Sequence, residues 1–369
     1  MSEAPAPTAP PISSADNDES DRFREIIRAA HAANSKVYLR GGNSKRVRMG
    51  RCCSAEPLDI AGHRGVVSYH PEEMVITARA GTPIEELQAI TGAHKQHLPF
   101  EPAEFAGKAT IGGCLASGLS GAARPWCGSG RDAVLGIRLI NGVGEQLRFG
   151  GEVMKNVAGY DVSRLQAGAF GTLGLITEVS IRVMPVAESS CYLETSLEQH
   201  DALTHMRTLA QRPWPITGMF WHADKLYLRL QGKLAALAAL RNQFGEFIES
   251  DVTPWLALRE WTLDELRSPQ RLCIVDGAPN ADLTKDRPAV LIDWGGARRY
   301  VRLKEDESVN DLQACIEEPG AHAIRLGAGD QDDDIVATPP EPLRALQGRV
   351  KHALDPASVF NPGRLYAWL

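Results

Sequence analysis

Apolar positions recur with a helical period near the start of the chain. In SDRFREIIRAAHAAN (20–34), Phe23, Ile26, Ile27 and Ala30 lie at i, i+3, i+4 and i+7. This spacing predicts an amphipathic helix whose apolar face packs on a core. Further on, Thr82, Pro83 and Glu85 predict another helix start, with Thr82 as the N-cap of a capping box.

Short runs rich in Val and Ile, bounded by turn residues, predict strands through the first half of the chain. These runs are KVYLRGGNSK (36–45, ending in a glycine turn), GVVSYH (65–70), EMVITARAG (73–81), DAVLGIRLI (132–140), EQLRFGG (145–151) and LGLITEVSIRVMP (173–185). NGVG (141–144) separates two of these runs and predicts the turn of a β-hairpin, with Asn141-Gly142 supplying the turn chemistry.

The pattern changes near residue 187, where glycine becomes rarer and tryptophan more frequent. KLYLRLQG (225–232) predicts a strand, whereas KLAALAALRNQFGEFI (233–248) and PLRALQGRVKHALDP (342–356) predict helices. The polar, Pro-rich stretch GDQDDDIVATPPEPL (329–343) predicts a loop. We therefore predict an α+β protein with a disordered lead-in (1–20), a first domain (21–186), a smaller α+β cap domain (187–354) and a C-terminal tail (355–369) that returns to the first domain.

Composition narrows the class of protein. The 369 residues carry a net charge of -6 and 43% hydrophobic residues, which is typical of a soluble globular protein and gives no electrostatic case for nucleic-acid binding. The chain has no apolar run of about 20 residues and no secretory signal, so we predict no membrane span and a cytoplasmic location. Membrane association through partner subunits stays open. Seven scattered cysteines without C-x-x-C argue against iron–sulfur ligation by this chain and are interpreted as reduced packing residues.

Two glycine-rich segments point to a ligand. RGGNSK (40–45) follows a predicted strand, and TIGGCLASGLSG (110–121) is predicted to open a helix. Both are expected to offer unhindered backbone N–H donors, and a helix N-terminus adds partial positive charge. The ligand chemistry that these features match is a diphosphate. The alternative is that both segments are glycine turns in tight packing.

Other motif matches are weaker. GSGRDA (128–133) fits G-x-G-x-x-A, but a strand rather than a helix is predicted after it, so the dinucleotide fingerprint lacks its context. His94, His97 and Glu101 have ligand-like spacing but lie in a predicted loop, and we predict no metal site. The basic cluster Lys45, Arg46, Arg48 and Arg51 is interpreted as a solvated face, with a dock for an acidic partner as the alternative.

Four ordered motifs carry a family resemblance: LRGGNSK, TIGGCLASGLSG, GSGRDAVLGIRLINGVGEQLRFGG and KNVAGYDVSRLQAGAFGTLGLITEVSIRV. Together they resemble the FAD-binding (PCMH-type) domain of vanillyl-alcohol oxidase and para-cresol methylhydroxylase relatives. Within that superfamily the chain is most similar to the E subunits of bacterial glycolate oxidase, through MKNVAGYDVSRL and the closing FNPGRLY. The resemblance is strong over residues 21–186, good over the last fifteen residues and weak between them. It implies two small α+β subdomains that hold FAD, and a second domain that covers the flavin ring.

The resemblance also implies cofactor-binding residues. Those that match the first phosphate loop are Arg40, Gly41, Gly42, Asn43 and Ser44. Those that match the second loop are Thr110, Ile111, Gly112, Gly113, Ala116, Gly118, Ser120 and Gly121. Those in the adjoining loop are Arg124, Gly128, Arg131 and Asp132, and those on the adenine side are Gly171, Gly174 and Ile176. Some members tether the flavin to a histidine in the first loop. Because Asn43 holds that place here, we predict dissociable, non-covalent FAD.

The catalytic residues stay open. Relatives that oxidise D-lactate or glycolate carry a histidine-rich motif in the second domain, and the nearest match here is HAIRLGAGD (322–330). A 2-hydroxy acid site needs a cation for the carboxylate and a base. Arg325 and Arg364 are candidates for the cation and His322 for the base, with ordinary structural roles as the alternative.

Three functions remain in view. The leading interpretation is the FAD-binding subunit of a glycolate oxidase (glycolate dehydrogenase) complex, beside a catalytic FAD subunit and an iron–sulfur subunit. One alternative is a self-sufficient FAD-dependent 2-hydroxy-acid dehydrogenase acting on D-lactate or glycolate. The other is a non-catalytic flavoprotein scaffold.

Overall fold

The computed structural model describes residues 16–151, 160–284, 287–327 and 333–369. Most of the predicted lead-in, the first six residues of MKNVAGYDVSRL and part of HAIRLGAGD and of the polar loop lie outside these residues. The helices are α1 (Ser20–Ala32), α2 (Ile84–Ala93), α3 (Ile111–Ser117), α4 (Arg124–Cys127), α5 (Gly130–Ala133), α6 (Val162–Leu165), α7 (Gln199–Ala210), α8 (Leu234–Arg241), α9 (Thr253–Arg259), α10 (Asp264–Arg267), α11 (Val309–Ala314) and α12 (Glu341–Leu354), with a 3-10 turn at Trp294–Gly296.

Nine strands precede residue 186 in the described part of the chain. They are β1 (Val37–Arg40), β2 (Glu56–Asp59), β3 (Val66–His70), β4 (Val75–Arg79), β5 (Gln96–His97), β6 (Val134–Ile140), β7 (Gln146–Gly150), β8 (Leu175–Arg182) and β9 (Met184–Pro185). β1 and β2 pair in parallel, and β5 pairs with β9. The main sheet has the order β3-β4-β8-β6-β7, with antiparallel neighbours throughout.

A second sheet of eight strands follows. Its strands are β10 (Ser189–Ser196), β11 (Ile216–His222), β12 (Lys225–Gly232), β13 (Ile248–Glu249), β14 (Leu272–Asp276), β15 (Ala289–Asp293), β16 (Arg298–Arg302) and β17 (His322–Arg325). They are ordered β13-β10-β12-β11-β15-β16-β14-β17 and pair antiparallel. The chain is thus a mixed α+β protein, as predicted.

The amphipathic pattern of α1 is confirmed, since Phe23 and Ile27 are fully buried. The predicted capping box at Thr82 is wrong. The N-cap of α2 is Pro83, and the Thr82 hydroxyl accepts from the Gly65 N–H (2.9 Å) and donates to the Gly65 carbonyl (3.1 Å). That hydroxyl is therefore engaged with the entry to β3 and is not free to cap a helix.

The predicted hairpin forms between β6 and β7, with its turn around NGVG (141–144). Asn141 Oδ1 accepts from the N–H groups of Val143 and Glu145, and Gly144 takes the left-handed conformation (φ 78°).

The helix predicted over residues 233–248 is shorter in the structure, since α8 ends at Arg241. Phe244 and Phe247 beyond it are buried without helical geometry, so tertiary packing overrides the local pattern.

The two sheets share one apolar core. Ile76 and Ile137 from the first sheet belong to the same buried cluster as Phe220 and Tyr300 from the second. A separate cluster joins α1 and β1 to Val359 and Phe360 near the C-terminus. Among the described residues, no helix has both the length and the apolar character needed to cross a bilayer.

Candidate functional site

A cleft lies where the loop after β1, the start of α3 and the turn before β8 meet. It consists of two contiguous cavities that share Gly41, Thr110 and Gly113. The predicted cofactor-binding residues that line it are Arg40, Gly41, Gly42, Asn43, Ser44, Thr110, Gly112, Gly113, Ala116, Gly171, Gly174 and Ile176. The structure therefore brings together three segments that are far apart in the sequence.

The loop after β1 presents unpaired backbone donors. Within the described part of the chain, the N–H groups of Gly41, Gly42, Asn43 and Ser44 donate to no other residue. Asn43 takes the left-handed conformation (φ 56°), and its Oδ1 accepts from the Tyr38 hydroxyl (3.4 Å). Successive free amides in such a turn form a concave anion-binding surface. Lys45 and Arg46 line the same cavity and add positive charge.

The expectation of free donors at the second glycine segment is wrong for the first turn of α3. Ile111 N–H donates to the Thr82 carbonyl (3.0 Å) and Gly112 N–H to the Ala80 carbonyl (2.9 Å). Gly113 N–H donates to the Thr110 hydroxyl (3.3 Å), which caps the helix. These bonds anchor α3 to β4 and α2, so the protein itself already satisfies the donors that sequence reasoning assigned to a diphosphate.

The glycines of the cleft serve different purposes. A Cβ on Gly42 would lie 1.6 Å from the Lys108 carbonyl oxygen, and one on Gly112 would lie 2.7 Å from the Ala80 Cβ. Both glycines are therefore required by packing between segments of the protein. A Cβ on Gly113 would meet only the Thr110 hydroxyl, at 3.1 Å. Gly113 is thus the position where a missing side chain leaves the cleft open to a ligand.

These features fit FAD. Free amides and two cations stand at one end of the cleft, and Leu39, Phe170 and Ile176 give the rest an apolar lining. A diphosphate matches the first part, and an aromatic ring system matches the second.

Several predicted residues do not line this cleft. Ile111 is buried in the core, and Gly118, with φ 67°, would place a Cβ 3.1 Å from Gly168. Ser120 and Gly121 line a different cavity, and Ser120 Oγ accepts from the Gly130 N–H.

The four predicted residues of the adjoining loop also lie outside the lining of the cleft. Asp132 accepts from the N–H and hydroxyl of Ser129 and closes a capping box on α5, while Arg131 is exposed. Gly128 has φ 87° and ends α4, and Arg124 lies over the Trp294 ring at 4.1 Å. The glycine and the aspartate thus have structural roles that their positions in the sequence do not reveal.

The predicted set leaves out several residues that line the cleft, and two of these are far apart in the chain. Phe170, in the left-handed conformation (φ 52°), comes just before β8, and Asn361 belongs to FNPGRLY. Asn361 Nδ2 donates to the Phe170 carbonyl (2.6 Å). The only signal for Asn361 was the resemblance of the closing segment, since a lone asparagine near a C-terminus carries no local pattern.

The three candidate catalytic residues do not converge. His322 is exposed on the edge strand β17, and Arg325 pairs with Asp333 (2.7 Å). Arg364 is buried beside the first phosphate loop and donates to the carbonyls of Met49 and Arg51. No pair of these residues forms a cation-and-base arrangement for a 2-hydroxy acid.

The structure places the two histidines with ligand-like spacing, His94 and His97, in surroundings without a metal-binding cluster among the described residues. His94 packs edge-on against Tyr69 with ring centroids 5.2 Å apart, and burial lowers the pKa of His97. Over the described ranges, no group of three or more His, Cys, Asp or Glu residues is placed to hold a metal ion. All seven cysteines are free thiols.

Comparison with known proteins first indicates the general class of this protein. Residues 18–150 match the FAD binding domain family. The fold resembles that of alkyldihydroxyacetonephosphate synthase, with a TM-score of 0.65 over 94% of this chain and 76% of that chain at 16% identity. The matched residues therefore form an FAD-binding domain, and the cofactor of the protein is FAD.

The particular family follows from full-length similarity. The chain is 40% identical over 356 residues to the glycolate oxidase subunit GlcE of Escherichia coli K12, covering 95% of this chain and 99% of that protein. It is 33% identical over 138 residues to the glycolate oxidase subunit GlcD of Bacillus subtilis, covering 37% of this chain and 29% of that protein. The chain belongs to the GlcE family of glycolate oxidase subunits, which are flavin-dependent oxidoreductase components.

Proposed function

We propose that this chain is the FAD-binding subunit of a complex that oxidises glycolate to glyoxylate and passes the electrons to an iron–sulfur subunit. The observation that carries the proposal is the 40% identity to GlcE over nearly the whole of both proteins. The cleft supports it, because its free amides and apolar lining match the two ends of FAD. We further propose a companion catalytic FAD subunit, since glycolate oxidase subunit GlcD is a separate chain of related sequence.

FAD, when bound, supplies the two-electron redox chemistry of the complex. The residues that would hold its diphosphate are the amides of Gly41–Ser44, with Lys45 and Arg46 adding positive charge. Gly171, Gly174 and Ile176 would border its adenine. Asn43 stands where some relatives carry a tethering histidine and offers no nucleophile for a flavin bond, so we propose dissociable FAD.

The test is reconstitution of the complex. The chain is co-expressed with a GlcD-like and an iron–sulfur subunit, and glycolate-dependent reduction of an artificial dye is measured with and without it. Loss of dye reduction when this chain alone is omitted, and its return on adding the FAD-loaded chain, are the expected results. Full activity without this chain would contradict the proposal. Bleaching of the single chain's flavin by glycolate or D-lactate at a catalytic rate would support the self-sufficient dehydrogenase instead.

A further inference from the structure

Arg364, six residues from the end of the chain, packs against the loop that follows β1. It is only 5% exposed, and it lines the same cavity as the free amides of Gly41–Ser44. Its Nη1 donates to the Arg51 carbonyl, and its Nη2 donates to the carbonyls of Met49 and of Arg46 (3.4 Å to Arg46). One guanidinium group therefore holds three carbonyls of the segment that continues the loop.

The backbone of that segment is shaped to receive the guanidinium. Gly50 takes a left-handed conformation (φ 83°), and a Cβ on it would lie 2.5 Å from Arg364 Cζ. The Arg51 N–H donates to the Arg364 carbonyl (2.9 Å), and the Arg364 N–H donates to the Asn361 carbonyl (3.1 Å). Because main chain and side chain both join the two segments, a change at Arg364 changes the loop.

The guanidinium group of Arg364 lacks a counter-charge. It forms no ion pair with any residue that the structure describes, since its bonded donors all face carbonyls. Burial lowers the pKa of Arg364, and the nearby charge of Arg46 adds to this effect. An arginine nevertheless stays protonated in a protein, and a buried charge is costly unless an opposite charge offsets it.

The other charged groups at this cavity add to the surplus. Lys45 and Arg46 also line it, and neither pairs with a carboxylate in the described ranges. Arg40 lines it too, and its charge is offset by Asp59 at 3.0 Å. Aspartate and glutamate are absent from the described residues that line the cavity. Three cations therefore face a space that an anion with more than one negative charge would neutralise.

We propose that Arg364 is a positioning residue for the diphosphate of FAD. Its guanidinium group holds the carbonyls of Arg46, Met49 and Arg51, which fixes the loop with its amides toward the cleft. Its charge is offset by the bound diphosphate. This assignment rests on the proposed place of the diphosphate at that loop. It differs from the role in binding a substrate carboxylate considered from the sequence, because backbone carbonyls already occupy both terminal nitrogens.

Two variants of the full chain separate the charge of Arg364 from its shape. The Kd for FAD is measured by fluorescence titration of the apo-chain, together with the melting temperature of each apo-protein. Arg364→Gln removes the charge and is expected to raise the Kd about tenfold or more. Arg364→Lys keeps a charge with three donors and is expected to stay within about threefold of the unmodified chain. A residue needed only for packing would give both variants the same Kd.

Arg51→Gln is the matched control. Arg51 is a buried arginine of the same segment, but it pairs with Asp334 (3.7 Å) and does not line the cavity. The control should lower the melting temperature of the apo-chain and leave the Kd for FAD within about threefold. A further measurement depends on no variant that might fail to fold: inorganic pyrophosphate should compete with FAD for the unmodified apo-chain.

The inference is overturned if Arg364→Gln binds FAD like the unmodified chain, if the Gln and Lys variants lose affinity equally, or if pyrophosphate does not compete. Its failure is separable from failure of the proposed function. An active reconstituted complex, with normal FAD binding by Arg364→Gln, would remove the role of Arg364 alone. An inactive complex of unmodified subunits, with the expected changes in Kd, would remove the proposed function alone.

Discussion

Asn361 Oδ1 accepts a hydrogen bond from the backbone N–H of Leu39 over 2.7 Å, although 322 positions separate the two residues in the sequence. The Asn361 backbone N–H also donates to the Val37 carbonyl, and Val37 forms a parallel bridge with Phe360. The C-terminal segment is therefore fastened to the strand that leads into the loop after β1. We expect this attachment to shape the cleft that is proposed to bind FAD.

Replacing that asparagine tests the coupling. Asn361→Ala leaves the Leu39 N–H and the Phe170 carbonyl without their partner, each at a cost of about 1–3 kcal/mol. We expect weaker FAD binding and a lower melting temperature, measured by flavin fluorescence titration and thermal unfolding. The exposed Asn242→Ala is the control and should change neither quantity. Unaltered FAD affinity in Asn361→Ala would show that the tail does not shape the cleft.

Two glycine substitutions should separate packing from ligand binding. Gly113→Val is expected to abolish flavin retention while the apo-chain stays folded, because its side chain enters the open part of the cleft. Gly42→Ala is expected to destabilise the apo-chain itself, because its Cβ would overlap the Lys108 carbonyl. Flavin content and apo-protein melting temperature are measured for both. Full FAD content in Gly113→Val would remove Gly113 from the site.

The buried ion pair under the tail should contribute strongly to stability. Lys351 Nζ lies 2.7 Å from Asp355 Oδ2, both residues are buried, and the Asp355 carboxylate also accepts from Val359 and Phe360. Asp355→Ala leaves the buried Lys351 with only the carbonyls of Thr172 and Phe360 and no counter-charge, so we expect a loss of about 3–5 kcal/mol in the free energy of unfolding, measured with urea. Asp21→Ala, which breaks an exposed pair with Arg24, should cost under about 1 kcal/mol. Equal losses in the two variants would contradict this account.

The raised pKa of Asp293 predicts how stability depends on pH. Its folded-state pKa is about 7, above the ordinary 3.8, because burial outweighs the opposing hydrogen bond from Trp294 N–H and the charges of Arg298 and Arg229, with Glu101 adding to the rise. The folded state therefore binds more protons than the unfolded state between these values, and stability falls as pH rises from about 4 to 7.

Asp293→Asn removes this titration and keeps the Oδ1 acceptor for Trp294. The melting temperature of the variant minus that of the unmodified chain should therefore increase from pH 5 to pH 8. Parallel pH profiles for the two proteins would show that Asp293 ionises at its usual pKa.

The fold was predictable where local pattern and tertiary packing agree. The period of Phe23 and Ile27 identified α1, and the runs of Val and Ile identified most strands of the first sheet. Thr82 was misread because its hydroxyl bonds a residue outside its own helix. The segment beyond Arg241 was misread because burial of Phe244 and Phe247 outweighs helix propensity.

Some features of the candidate site were likewise predictable from the sequence, and others were not. The loop after β1 was predictable from RGGNSK, since glycines directly after a strand are typical of phosphate loops. The donors of α3 were assigned to a ligand because no sequence pattern shows that Thr82 and Ala80 accept from them.

The central claim is that FAD lies in the cleft between the loop after β1 and the start of α3. A crystal structure of the FAD-loaded chain tests it most directly. We predict diphosphate oxygens within hydrogen-bond distance of the Gly41–Ser44 amides, in contact with Gly113. A structure with these segments empty and the flavin bound elsewhere would contradict the account.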